Sequence, residues 1–158
     1  TMALGDALAV ALMEKRDFKP EDFKVLHPGG NLGLQMLTVS QLMRNKSEMA
    51  IVKDDLTMSS VVSCMTESGF GVAILVDENG TLSGIITDGD LRRNIKDILT
   101  FSPKDIATLN PTSVKPTDLV SVALEKMEKS KVYAIVVIED DKPIGLLRMH
   151  DVLRSGIK

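Results

Sequence analysis

One order of apolar runs and turn residues occurs twice along this chain, and that duplication constrains the fold more than any other feature. In the first copy, Met58, Val61, Val62 and Met65 have helical spacing. They precede the unbroken run Val72-Ala73-Ile74-Leu75-Val76, a turn at Asp77-Glu78-Asn79-Gly80, and a second apolar run from Leu82 to Thr87. Apolar residues every three or four positions mark one face of a packed helix, and short apolar runs bounded by turn residues mark buried strands. Asn79-Gly80 is expected to close the hairpin as a type I′ turn, which requires positive φ at both central residues. Asp88 to Lys96 then reads as a helix. The second copy repeats this with a helix at Val120–Met127, a strand at Ala134–Ile138, a turn at Glu139–Lys142, a strand at Ile144–Arg148 and a helix at Met149–Arg154. Gly84 falls on Gly145 and Asp90 on Asp151 at one common offset; Met65 and Met127 differ from it by one residue, as a turn insertion would produce.

Ala50-Ile51-Val52 and Ser113-Val114-Lys115 open the two copies as a further edge strand, so each unit reads β-α-β-β-α. The fold class is therefore α/β (α+β). A unit of about 60 residues buries too little surface to be comfortably stable alone, whereas two copies can pack sheet against sheet and share a core. Ser102-Pro103, Asn110-Pro111 and Lys115-Pro116 punctuate the entry to the second copy with residues that resist helix continuation. The expected division is residues 38–100 and 101–158, with residues 1–37 outside the repeat. Thr1 to Arg16 reads as a helix rich in Ala and Leu, Pro20-Glu21-Asp22-Phe23 as a helix start with acidic residues in its first turn, and His27-Pro28-Gly29-Gly30-Asn31-Leu32-Gly33 as a loop. A chain that opens inside an apolar helix is expected to be cut from a larger parent.

Composition narrows the partner. The 158 residues carry 19 basic and 22 acidic side chains, a formal net charge of -3, with 44% apolar residues. There is no cationic excess to neutralise phosphates, so no nucleic-acid partner is expected. Aromatic residues make up 3% of the chain and Trp is absent, too few rings for a base-stacking platform or for a sugar site built on Trp. The single Cys64 has no intrachain disulfide partner, and its neighbours Val61, Val62 and Met65 suggest a packed, reduced thiol of a cytoplasmic protein. A catalytic thiol is the rival reading, but no His lies near it in sequence to activate it. No run approaches the roughly 18 to 20 apolar residues of a membrane span. Met2–Met13 is broken by Asp6 and lacks a basic leader, so no signal peptide is expected.

The chemistry concentrates in Gly84-Ile85-Ile86-Thr87-Asp88-Gly89-Asp90-Leu91-Arg92-Arg93. A strand ends there and turns into a helix at Thr87, so the Thr87 hydroxyl and Asp90 carboxylate emerge together. Two such oxygens can accept hydrogen bonds from a ribose diol, and free N–H groups at the helix start can receive a phosphate. Arg92 and Arg93 follow one turn later as fork-shaped donors. The same spacing also makes a capping box, Thr87 with Asp90 three residues on, whose only task is to start the helix.

These residues match the signature of the cystathionine β-synthase (CBS) domain, Gly-apolar-apolar-Thr/Ser-x-x-Asp, which occurs in tandem pairs called Bateman modules. The chain resembles that family from about residue 38 to residue 158. The resemblance implies two α/β repeats with clefts between them that bind adenosine or other nucleotides, and it gives Thr87 and Asp90 the ribose. In the second copy, Gly145-Leu146-Leu147-Arg148-Met149-His150-Asp151, Asp151 matches while Arg148 stands where the family has Thr or Ser. Arg148 and His150 could face an anionic group of a ligand in the shared cleft; Arg148 could equally be a solvated or ion-paired residue at a strand end.

Residues 1–37 resemble the end of the sugar isomerase (SIS) domain in the bacterial D-arabinose 5-phosphate isomerase family, which joins an SIS domain to a CBS pair. The resemblance rests on Leu4 to Leu12, Phe18, Glu21-Asp22-Phe23, His27-Pro28-Gly29-Gly30 and Leu32-Gly33. It implies that His27 is an active-site residue in the parent enzyme, where imidazole suits proton exchange in an aldose–ketose interconversion. The sugar-phosphate pocket itself is not in this chain, which is expected to be inactive alone, without cofactor or metal. The implied parent reaction makes D-arabinose 5-phosphate from D-ribulose 5-phosphate for 3-deoxy-D-manno-octulosonate (Kdo) in lipopolysaccharide or capsule. Candidate regulatory ligands are AMP, ATP or, from the charges of Arg92, Arg93 and Arg148, the nucleotide sugar CMP-Kdo. Self-association is expected, as a homodimer of CBS pairs in a tetrameric parent. The rival reading is a ligand-free assembly module.

Overall fold

The computed structural model describes residues 2–17 and 36–155. Helix α1 (Met2–Lys15) forms where the Ala- and Leu-rich opening predicts it, with residues 3–17 exposed. The expected helix start at Pro20–Phe23 and the loop containing His27 lie outside the described residues.

The first repeat runs from β2 (Ala50–Lys53) through α3 (Met58–Ser68), β3 (Val72–Val76) and β4 (Leu82–Thr87) to α4 (Asp88–Arg93). The second runs from β6 (Ser113–Val114) through α6 (Val120–Ser130), β7 (Ala134–Glu139) and β8 (Lys142–Arg148) to α7 (Met149–Arg154). This is the predicted β-α-β-β-α order in both. Thr57 caps α3 by accepting from the Ser60 amide, and β3 is buried along its whole length, as its unbroken apolar run requires. Each helix crosses between parallel strands, β2 with β3 and β6 with β7, and each hairpin is antiparallel.

Each sheet takes its fourth strand from the segment that precedes the other repeat. Before the first repeat come α2 (Val39–Leu42) and β1 (Arg44–Asn45); before the second come α5 (Pro103–Ile106) and β5 (Thr108–Leu109). The sheet orders are β2-β3-β4-β5 and β1-β8-β7-β6. Val39, fully buried, packs with Val114, Met127 and Leu147 of the second repeat, and Ile106 packs with Met58, Leu75 and Ile86 of the first. Lys104 on α5 reinforces the exchange through an ion pair to Asp54 at 3.1 Å. A third buried cluster, Val72, Ile74 and Ile85 against Val136 and Leu146, is the face where the sheets meet. Two sheets thus share one core, as the size of a single repeat demanded.

Two local expectations need correction. Asn79-Gly80 does not form a type I′ turn, because only Gly80 has positive φ (78°). The Gly80 amide instead bonds the Asp77 carbonyl, and the Asp77 carboxylate accepts from the Asn79 and Thr81 amides, which holds Asn79 at negative φ. The two-residue type I′ geometry occurs in the other hairpin, at Asp140 (φ 49°) and Asp141 (φ 60°), between the paired Glu139 and Lys142. The helix expected over 88–96 ends at Arg93, where the Asn94 side-chain amide takes the Asp90 carbonyl at 2.9 Å and competes with helix continuation.

Candidate functional site

Thr87 ends β4 in extended conformation (φ -117°, ψ 164°) and caps α4, so its side chain meets that of Asp90 one turn on. Asp90 Oδ2 accepts from the Thr87 amide at 2.8 Å and from the Thr87 hydroxyl at 2.6 Å, while Oδ1 accepts from Arg93 at 2.5 Å. Burial pushes the Asp90 carboxyl up, but the bonds from Thr87 and Arg93 outweigh it and hold the group below the usual carboxylate range. The capping role is therefore real, and it leaves acceptors over. A carboxylate offers about four lone-pair positions, of which three are used, and the Thr87 hydroxyl donates to Asp90 while facing the Asp90 amide in the capping box, which leaves it one lone pair. A vicinal diol could donate to both. Arg93 is mostly exposed, so a ligand can displace it at low cost.

The matching corner of the second repeat is built differently. Asp151 accepts from Arg148 Nε at 2.8 Å and Nη2 at 3.0 Å, and from Arg44 Nη2 at 3.2 Å. The bonds from Arg148 lower the Asp151 carboxyl most, burial opposes them, and Arg44 adds to the lowering, leaving it at about 2. Arg148 also lies over the Phe70 ring, 4.5 Å from its centroid, so the second repeat touches the first through a cation–π contact. Beside this corner opens a cleft of about 500 Å³, between the turn at Lys46–Glu48, the start of β2 and the end of α3. Phe70 and Glu48, both in its lining, carry it to the arginines, since Arg44 also pairs with Glu48 at 3.6 Å.

Thr87, Asp90 and Arg93 thus come together, and Arg148 and Asp151 come together at a second place. Arg92 and His150 are exposed and join neither cluster; His27 lies outside the described residues. Cys64 is half-buried, beside the first core and in the wall of the cleft. Sequence reasoning missed Arg44 and Phe70. Arg44 could have been found by extending the repeat alignment upstream: Arg44 pairs with Leu146 in its sheet as Thr108 pairs with Ile85 in the other. Where the first repeat has Thr87 at the end of β4 and Thr108 on its borrowed strand, the second has Arg148 and Arg44 at the equivalent places. Among the described residues no group of three or more His, Cys, Asp or Glu is placed to hold a metal, and no helix is long and apolar enough to cross a membrane.

The family described as "CBS domain" matches residues 39–97 and 104–158, the two repeats found here. The chain belongs to the CBS domain family. The pair is also similar to arabinose 5-phosphate isomerase KdsD of Pseudomonas aeruginosa, 40% identical over 162 aligned positions, and to KdsD of Escherichia coli K12, 37% identical over 161. Those alignments cover 99% of this chain and 50% and 49% of the two relatives, so the chain spans about half their length. Among solved structures, the CBS pair resembles CBSX2 in complex with AMP (TM-score 0.65, 23% identity), which covers 75% of this chain and 95% of that one. It resembles equally the CBS domain pair of protein MJ0100 in complex with 5′-methylthioadenosine and S-adenosyl-L-methionine (TM-score 0.69, 19% identity, covering 75% and 94%). Likeness at that identity establishes the tandem CBS fold.

Proposed function

We propose that this CBS pair is the nucleotide-sensing, regulatory part of a D-arabinose 5-phosphate isomerase, with the ligand's ribose held by Thr87 and Asp90. The observation that carries the reading is the Thr87–Asp90 corner, a preorganised pair of a buried carboxylate and a half-buried hydroxyl with acceptor capacity left over. AMP in CBSX2 and adenosyl ligands in MJ0100 support it by analogy of fold, and the KdsD relatives supply the enzyme. AMP, ATP and CMP-Kdo are the ligands to test, and Arg93, once released from Asp90, is a donor beside the diol site.

In this reading residues 1–37 belong to the SIS domain of the parent, His27 serves its acid–base chemistry, and the assembly is cytoplasmic and self-associating. A ligand-free assembly role is the second reading, favoured by the arginine in the second motif. Thermal shift separates them. A ligand at 100 times its dissociation constant adds about 2.7 kcal/mol, and Asp90→Asn removes that gain if the reading is right. An unchanged melting temperature with all three ligands leaves the assembly role.

A further inference from the structure

The two corners are related by the internal repeat, so they can be compared position by position. β4 ends at Thr87, opposite Val72; β8 ends at Arg148, opposite Ala134, the residue that corresponds to Val72. Asp90 and Asp151 follow each by three residues. A diol that could reach Asp90 and the threonine hydroxyl would, in the second corner, meet a carboxylate already bound by Arg148 through two parallel hydrogen bonds and by Arg44 from the borrowed strand. Such a bidentate pair presents donors where the first corner presents acceptors. The Arg148 guanidinium also covers one face of Phe70, the ring in the lining of the neighbouring cleft. The cleft has the volume of a small-molecule site, while the polar group and the aromatic face nearest the second motif are both taken by one side chain of the chain itself.

We propose that the second corner is self-occupied, with Arg148 acting as an internal ligand of Asp151 and Phe70, so that each chain binds one nucleotide, at Thr87–Asp90. The proposal rests on the nucleotide reading for that first corner. It also assigns Arg148 a positioning task, because a residue of the second repeat is clamped onto the first whether or not ligand is present.

Isothermal titration of the whole chain with AMP and with ATP tests it, alongside the NMR signal of the Arg148 Nε–H. The wild type should bind one nucleotide, with the Thr87 and Asp90 amides shifting and the Arg148 Nε–H unmoved. Arg148→Thr, which restores a Thr-x-x-Asp corner while leaving Arg44 on Asp151, should bind two. Arg148→Ser is the second variant if the first does not fold by circular dichroism. Two sites in the wild type, a nucleotide that displaces the Arg148 Nε–H signal, or a single site in folded Arg148→Thr overturns the proposal and leaves the nucleotide reading standing. No heat from any of the proteins with either nucleotide overturns the nucleotide reading itself.

Discussion

Arg44 and Thr108 occupy equivalent places on the two exchanged strands, Arg44 opposite Leu146 and Thr108 opposite Ile85. One exchanged strand therefore carries a hydroxyl at this place and the other a guanidinium that reaches Asp151 at 3.2 Å. The segment that precedes the first repeat thus supplies a charged partner to the corner of the second.

Acid stability should depend on Asp151. Its carboxyl is lowered from 3.8 to about 2. A depressed folded-state value means a contribution fully present above pH 4 and lost as pH falls toward 2, of about 2 kcal/mol. Arg148→Ala should lower stability at pH 7, and its deficit relative to wild type should shrink between pH 4 and pH 2. Urea unfolding at pH 7, 4 and 2.5 reads this, and a deficit independent of pH would contradict it.

Gly145 and Gly84 should differ in their tolerance of a methyl group. A Cβ at Gly145 would lie 2.6 Å from Met43 Sδ and 2.9 Å from the Arg44 carbonyl oxygen, backbone that cannot rotate away. At Gly84 the nearest atoms are Ala107 Cβ at 3.2 Å and the Thr108 oxygen at 3.3 Å. Gly145→Ala should cost about 1–3 kcal/mol by overpacking against the exchanged strand, and Gly84→Ala less. Chemical denaturation gives the order, and equal or reversed costs would refute it.

The exchange also predicts coupling across the chain. Ile106→Ala removes a side chain that precedes the second repeat but fills the core of the first, and should cost about 2–5 kcal/mol. Amide exchange at Ile74 and Leu75 should accelerate in that variant. Loss of protection confined to residues after 110 would mean that α5 does not pack where it is seen.

Asp140 and Asp141 both carry positive φ, which Asp adopts more readily than most residues but less readily than Asn or Gly. The double change Asp140→Asn, Asp141→Gly should stabilise the chain by about 0.5–1 kcal/mol, since Asn-Gly suits a type I′ turn. A rise in melting temperature is expected, and a fall would show that the aspartates make compensating contacts.

The repeat, its element order and the Thr87–Asp90 corner were legible in the sequence because each is local. Helical and strand periods span a few residues, and a cap joins residues three apart. The type I′ assignment failed where it depended on one side chain, since Asp77 accepts two amide bonds and turns Asn79-Gly80 into another geometry. What only the tertiary structure decided is long in range. Arg44 lies 107 residues from the Asp151 it binds, and Phe70 reaches Arg148 only because the two sheets pack face to face. Sequence alone determined that there are two repeats and that one of them carries an intact Thr-x-x-Asp. Which strand completes which sheet, and that the other repeat's aspartate is already satisfied by arginines, follow from the shared core: neither sheet buries its faces or completes its ladder without the segment that precedes the other.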